Sequence, residues 1–411
     1  MKNISELISL FEYRVLWPSL YTVFKATSKQ DKNTVLFADP YSPKLTDNME
    51  PIYAALKEQG GYKLVTCFPK ARENKPSVST SKPRRIMRKF GDRLSRSGTY
   101  IRFLRLYASC GALILTESFL PAYAVKPRPG TQVVQLWHGC GAFKKWGYST
   151  LDKSFGATSE TAELFPMHNC YTLVPISAPE VSAAYADAFR CRPESIKPLG
   201  VPRTDIYFDT DFIGSAKERL YNSCTALHSL GSAKAFSDKT IVLYAPTFRG
   251  NSISDASCSV PIDFASLRSA LGDEFVFLCK LHPFAKNSLT IPEDCKDFVF
   301  DISSAPTDTA LCAADILITD YSSIIFEYSL LSRPMLFYAY DLEEYIAERD
   351  FYYPYEDFIP GCVVTTENEL EIAIRGAAEG TGTQKIADFR DKFMSACDGN
   401  ATNRIVEHLF D

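Results

Sequence analysis

Five separated stretches of this 411-residue chain hold residue types able to do polar chemistry. Trp137-His138-Gly139-Cys140-Gly141 sets a histidine among glycines, with Lys144 and Lys145 close behind. A histidine in that setting can take a proton, and glycine-rich backbone can approach an anion closely. Arg203 follows the turn-fixing Pro202 and suits either a phosphate clamp or an ion pair with Asp205. Pro246-Thr247-Phe248-Arg249, Lys280-Leu281-His282-Pro283 and Asp320-Tyr321-Ser322-Ser323 supply hydroxyls, cations and a second histidine, and Glu327 follows the last of these. Hydroxyls and cations brought together make a site for a phosphorylated ligand. Taken singly, each has a plainer reading: Ser322 or Ser323 as a helix cap, and His138 as a structural histidine.

Whether these residues meet depends on the elements that carry them. Apolar, β-rich runs precede four of these groups: Gln132–Leu136 before His138, Thr240–Ala245 before Thr247, Phe275–Lys280 before His282 and Ile316–Thr319 before Ser322. Such continuous runs are the pattern of strands buried in a parallel sheet. Further strands are expected at 34–38, 62–68, 112–116, 171–175, 196–199, 299–301 and 335–338. Helical patterns fall between them at 48–59, 179–189, 308–314 and from Ile324. The alternation predicts α/β architecture with parallel sheets. In a parallel sheet the ends of successive strands share one edge, so Thr247/Arg249, Lys280/His282 and Ser322/Ser323 converge there, where open α/β sheets take their ligands.

Length favours two domains, and the charged, polar stretch 210–237 reads as the link between them. The expected division is 1–215, 216–390 and a C-terminal helix over 391–411 that packs back on the first domain. Hydrophobic content of 46% with 13% aromatics excludes a disordered chain. A net charge of −4 gives no overall pull towards nucleic acid. The twelve cysteines form no close pair and read as reduced cytosolic thiols rather than a metal site. No signal peptide or membrane-spanning run is evident. One segment departs from the average: between Lys82 and Tyr107 nine basic residues, among them Arg84, Arg85, Arg88, Lys89 and Arg93, face only Asp92, with Ile86, Met87, Phe90 and Leu94 on one stripe. That is the pattern of a basic helix lying on an anionic membrane, or of a solvated helix packing its stripe on the sheet. The remaining histidines, His168, His228 and His408, have no such setting. The aromatic run 350–361 suits either a ligand cover or a packed plug.

Taken together, Trp137-His138-Gly139, Gly200-Val201-Pro202-Arg203-Thr204-Asp205, Ala245 to Gly250, Lys280 to Pro283, Thr319 to Ser323 with Glu327, and the Phe358–Gly361 ending resemble, in order, the CDP-glycerol glycerophosphotransferase family of teichoic-acid primases and polymerases. The resemblance implies a GT-B-like fold of two Rossmann-like domains whose parallel sheets face a central cleft. It implies transfer of glycerol phosphate or ribitol phosphate from a CDP-polyol to an acceptor hydroxyl, with release of CMP. His138 and His282 would be the catalytic pair. Trp137, Gly139, Cys140, Gly141, Arg203, Pro246, Thr247, Arg249, Lys280, Leu281, Ser322, Ser323 and Glu327 would contact the donor. No metal site or tightly bound cofactor is expected, which leaves room only for a loosely held divalent ion such as Mg2+. The expected partners are the CDP-polyol, a lipid-linked saccharide or growing polymer, and the anionic inner face of the membrane, with the protein cytoplasmic and peripheral. The alternative is a GT-B glycosyltransferase using a nucleotide sugar. One departure stands out: where the family continues Thr-Pro after His-Gly, this chain has Cys140-Gly141.

Overall fold

The computed structural model describes residues 4–69, 97–249, 260–281 and 289–410. His282 and the basic residues Arg84, Arg85, Arg88, Lys89 and Arg93 lie outside the described residues. The chain divides into two compact units. The first takes the chain up to Gly139, then Trp146–Arg203, and finally the residues from Asn400 onward. The second takes Cys140–Lys145 and Thr204–Gly399. The change of unit thus falls at 203/204 and 399/400, against the 215/216 and 390/391 drawn from sequence, and a six-residue excursion follows Gly139 directly.

In the first unit, β1 (Asp31–Ala38), β2 (Lys63–Cys67), β3 (Cys110–Leu115) and β4 (Gln132–Gln135) form a parallel sheet in the order β2-β1-β3-β4. A parallel bridge from Val134 to Leu173 extends it towards the short pair β5 (Val174–Pro175) and β6 (Ile196–Lys197). The order reverses between β1 and β3, which makes a crevice at their carboxyl ends. One face is covered by the helix Met49–Gln59 and the C-terminal helix Ala401–Phe410, whose Ile405, Val406 and Leu409 are buried with Ile52 and Leu56. The final helix belongs to the first unit by this packing. The part of the basic segment that is described, the helix over 97–107, buries Phe103, Leu104 and Tyr107 completely. Arg102 donates to the Thr66 carbonyl.

The second unit carries β7 (Thr240–Tyr244), β8 (Phe275–Cys279), β9 (Val299–Asp301), β10 (Ile316–Thr319), β11 (Met335–Tyr338) and β12 (Cys362–Val364), all parallel. Their order is β12-β11-β10-β7-β8-β9. The first strand thus sits beside the fourth, the Rossmann arrangement with its switch point between β7 and β10. Apart from Thr240 at the start of β7, residues of β7, β8 and β10 are buried, as both faces of a parallel sheet require. The excursion Cys140–Lys145 pairs antiparallel with 350–352 through Lys145 N to Asp350 O (2.8 Å) and Tyr352 N to Phe143 O (2.9 Å). Phe143 stacks on Phe351 and Phe358 at 4.7 and 4.8 Å between centroids. The aromatic run 350–361 is accordingly packed onto this excursion.

Candidate functional site

In the first unit the polar residues gather at the carboxyl ends of β1, β3 and β4. A cavity of about 270 Å³ there is lined by Asn48, Thr116, Glu117, Trp137, His138 and Arg203, among others. Trp137 adopts φ +57°, a conformation costly for a bulky side chain. Two bonds hold it: its N–H donates to Gln135 Oε1 (2.9 Å), and its carbonyl accepts from Asn48 Nδ2 (2.9 Å). The kink turns His138 out of the strand line, with its ring 4.2 Å from the Trp137 ring. Asn48 also accepts from the Arg203 backbone N–H (3.1 Å), and Arg203 Nη1 donates to the His138 carbonyl (2.6 Å). Three loops far apart in sequence are thereby tied at one point, and Arg203 serves that tie.

His138 Nδ1 lies 2.8 Å from Glu117 Oε1. In that pair Nδ1–H donates to the carboxylate, so Nε2 carries the lone pair. No partner for Nε2 occurs among the described residues. The histidine is 54% and the glutamate 26% exposed, so the pair meets solvent while its geometry is fixed by the loop. A base whose far nitrogen is oriented by a carboxylate is the arrangement needed to take a proton from a hydroxyl.

In the second unit the ends of β10, β7 and β8, three adjacent strands, carry Ser322/Ser323, Thr247/Arg249 and Lys280/Leu281 at one edge. Buried Asp320 organises it: Oδ1 accepts from Thr247 N (2.8 Å) and Tyr321 N (2.5 Å), and Oδ2 lies 3.0 Å from Arg249 Nη1. Arg249 also makes a two-pronged pair with Asp341, Nε to Oδ2 at 2.7 Å and Nη2 to Oδ1 at 2.9 Å. Burial works against its charge, but Asp341 and Asp320 outweigh that and raise its pKa. Arg249 is thus neutralised by two carboxylates and braces the loop. The Thr247 hydroxyl is buried with no partner among the described residues. Ser323, at the N-cap position of the short helix Ile324–Ser329, makes no capping bond with its side chain, and Ser322 Oγ is 3.4 Å from Ile324 N. The Ser323 hydroxyl is thus not consumed by capping, and the Ser322 hydroxyl, which accepts from Ile324 N–H, keeps its own proton to donate.

Lys280 Nζ donates to the Ala305 carbonyl (2.5 Å), and burial lowers its pKa. Leu281 is buried, so any ligand contact there falls to its backbone, whose N–H already donates to Ser303 Oγ (3.0 Å). Pro246 and Glu327 are buried as well. Gly139 accepts from the Tyr185 hydroxyl (3.2 Å) in the first unit, whereas Cys140 and Gly141 belong to the second. Cys140 is buried, and Gly141 has φ +61° with the Phe326 ring 2.2 Å from where a Cβ would stand, so only glycine fits. Lys144 Nζ, from the same excursion, donates to the Tyr345 hydroxyl (3.0 Å), and burial pushes its pKa down to about 8.

Sequence reasoning passed over Glu117, Asn48, Asp320 and Asp341. Each lies within three residues of the end of a strand or at a helix start, and the strand-end argument applied to carboxylates as well as cations would have reached Glu117, Asp320 and Asp341. Among the described residues no group of three histidines, cysteines or carboxylates is placed to hold a metal ion.

Two α/β units, each with polar side chains collected at the carboxyl edge of a parallel sheet, one presenting an oriented histidine and the other hydroxyls and a lysine, define a GT-B-like protein of transferase type. Residues 20–411 match the CDP-glycerol:poly(glycerophosphate) glycerophosphotransferase family, and the chain belongs to it. It is 34% identical over 395 residues to the teichoic acid ribitol-phosphate primase of Bacillus spizizenii, covering 95% of this chain and 94% of that one. To the teichoic acid glycerol-phosphate transferase of Staphylococcus aureus it is 29% identical over 414 residues, covering 95% and 97%. A solved structure of the wall teichoic acid polymerase TagF superposes with a TM-score of 0.73 at 21% identity, over 98% of this chain and 96% of that one. The family and fold expected from the motifs are therefore those found.

Proposed function

We propose that the protein transfers a polyol phosphate from a CDP-polyol to an acceptor hydroxyl in teichoic acid synthesis. Membership of the family supports the reaction class. The observation that carries the mechanism is the Glu117–His138 pair. The acceptor oxygen attacks the phosphorus bearing the polyol while its proton passes to His138 Nε2. The new O–P bond forms as the bond from that phosphorus to the bridging oxygen breaks, and CMP departs. Glu117 holds Nδ1 and stabilises the imidazolium that results. On the second unit, Lys280, the Thr247 hydroxyl and the Ser322/Ser323 turn are suited to the diphosphate, where fixed donors offset the charge on the leaving group. His282, by the motif it shares with the family, would join them. These side chains do the neutralising, with any Mg2+ loosely held by the diphosphate itself.

Ribitol phosphate is the favoured group: at matched coverage the chain is closer to a ribitol-phosphate primase than to a glycerol-phosphate transferase. The acceptor is a lipid-linked saccharide or the growing polymer, reached at the inner membrane face. No helix among the described residues is long and apolar enough to cross a bilayer. The N-terminal helical run, however, exposes Ile4 (77%), Leu7 (51%), Phe11 (54%) and Val15 (48%) along one stripe, as a helix lying in an interface would.

CMP release measured separately from CDP-ribitol and CDP-glycerol, with a lipid-linked saccharide acceptor, tests the reading. Release that is faster from CDP-ribitol and abolished by His138→Ala is expected. Turnover of a UDP-sugar with no CMP release would overturn it in favour of a glycosyltransferase.

A further inference from the structure

A second cavity of the first unit lies away from His138. It measures about 770 Å³ and is walled by the segments 126–131, 168–172 and 190–192, with Lys25. These segments lead into β4, β5 and β6, or stand just before them, so the cavity opens at the amino ends of the strands whose carboxyl side carries the histidine. Its charge is one-sided. Lys25, Lys126, Arg128, Arg190 and Arg192 line it and no carboxylate does. In a chain of net charge −4, five cations around one cavity with no acid among them is not a solubility pattern.

Nor are these cations spent elsewhere. Among the described residues the side chains of Lys25, Lys126 and Arg192 have no ion pair or hydrogen bond. Arg190, at φ +47°, has its guanidinium 4.8 Å from the Tyr148 ring centroid and no carboxylate partner. Arg128 is pinned by carbonyls rather than neutralised: Nε donates to Ala108 O (2.6 Å), and Nη2 to the carbonyls of Ser28 (2.6 Å) and Lys25. Its charge is thus held rigidly at the wall, and Nη1 has no partner among the described residues. The floor adds a donor. His168 is 1% exposed, and burial pushes its pKa down to about 3, so the ring is neutral. Its Nδ1 is 2.7 Å from the Tyr171 hydroxyl, which in turn receives Gln135 Nε2 at 2.8 Å. When Tyr123 (2.5 Å) and Gln135 both donate to the Tyr171 hydroxyl, that hydroxyl donates to Nδ1 and the ring carries its proton on Nε2, which has no partner among the described residues. A pinned cation, further cations without carboxylate partners and a buried N–H donor around one cavity are what a phosphate ester needs. The volume exceeds that of a lone phosphate and lies in the range of small-molecule sites.

We propose that this cavity is a second anion site that binds an organic phosphate ester of at least two negative charges, a diphosphate or a phosphodiester pair, independently of the CDP-polyol site. The assignment does not rest on the reaction proposed above. It is tested by titrating inorganic pyrophosphate into the full-length protein by calorimetry, with CDP present at saturation to occupy the donor site. One site that survives CDP is expected, weakened at least about tenfold in Lys126→Glu/Arg192→Glu, given that a charged hydrogen bond is worth about 1.5–3 kcal/mol. Both positions are exposed, so the variant keeps its fold, which its melting temperature checks. Pyrophosphate binding that CDP abolishes, or that changes less than about twofold in the variant, would overturn the proposal. So would binding to phosphatidylglycerol vesicles without saturable binding of pyrophosphate, because the charge would then act as a surface and not as a pocket.

Discussion

Glu117→Gln separates what the carboxylate does for His138 by charge from what it does by position. Gln Oε1 can still accept from Nδ1–H, so the ring keeps its orientation and loses only the neighbouring negative charge. That charge matters most when His138 has taken the acceptor's proton, since an imidazolium and a carboxylate then stand at the 2.8 Å N–O distance of the pair. Two unit charges about 4 Å apart interact by about 1 kcal/mol in bulk water and about 4 kcal/mol at an effective dielectric of about 20. With the histidine 54% and the glutamate 26% exposed, the pair sits between these limits, nearer the lower. A loss of about 1–3 kcal/mol in the transition state corresponds to a fall in kcat of about 5- to 150-fold. The assay is steady-state CMP release with varied donor. The expected result is a lower kcat, an unchanged donor KM and an unchanged melting temperature, with partial recovery in Glu117→Asp. A kcat within twofold of wild type would refute the charge argument. A fall in kcat accompanied by an equal fall in stability would show that Glu117 only supports the loop.

Three further perturbations follow from the second unit. Arg249→Ala leaves Asp320, 1% exposed, without its cation; a buried charge stripped of its partner costs about 3–5 kcal/mol, to be read by chemical denaturation. Gly141→Ala drives a Cβ into the Phe326 ring at a left-handed backbone position, so a loss of about 1–3 kcal/mol and reduced turnover are expected, measured by thermal melting and CMP release. Lys144, lowered from 10.5 to about 8, makes stability rise with pH across that window, because the unfolded chain still holds the proton that the folded one has released. Stability of Lys144→Met, measured against wild type from pH 7 to 11, should lack this rise, whose upper figure is about 3 kcal/mol, and the two curves should differ most below pH 8.

The pattern of what could be read beforehand has a physical cause. Buried parallel strands are continuous apolar runs, so 316–319 or 275–279 announce themselves, and the polar residue that ends each run is placed on the ligand edge by topology alone. Where a strand is only two residues long the run misleads. Tyr171 and Thr172 look like strand, yet their side chains serve local bonds, Thr172 Oγ1 accepting from Val133 N (2.8 Å) and Tyr171 closing the His168 network, so regular pairing begins only at Val174. The partners of charged groups were hidden for a different reason. Arg249 reads as a ligand cation because nothing near it in sequence is acidic; the two aspartates that claim it arrive from the ends of β10 and β11. Likewise Asn48, at the start of a helix after β1, reaches Trp137 and Arg203 only once the sheet order β2-β1-β3-β4 is fixed. Periodicity reports which residues a strand delivers to an edge; strand order decides which of them meet. The two sheets therefore differ in how far their edges were legible. In the second unit Thr247, Lys280 and Ser322 follow three adjacent strands, so their convergence on one edge follows from strand order alone. In the first, the histidine is legible from sequence without its carboxylate, which comes from Glu117 just past the neighbouring strand β3 of the sheet.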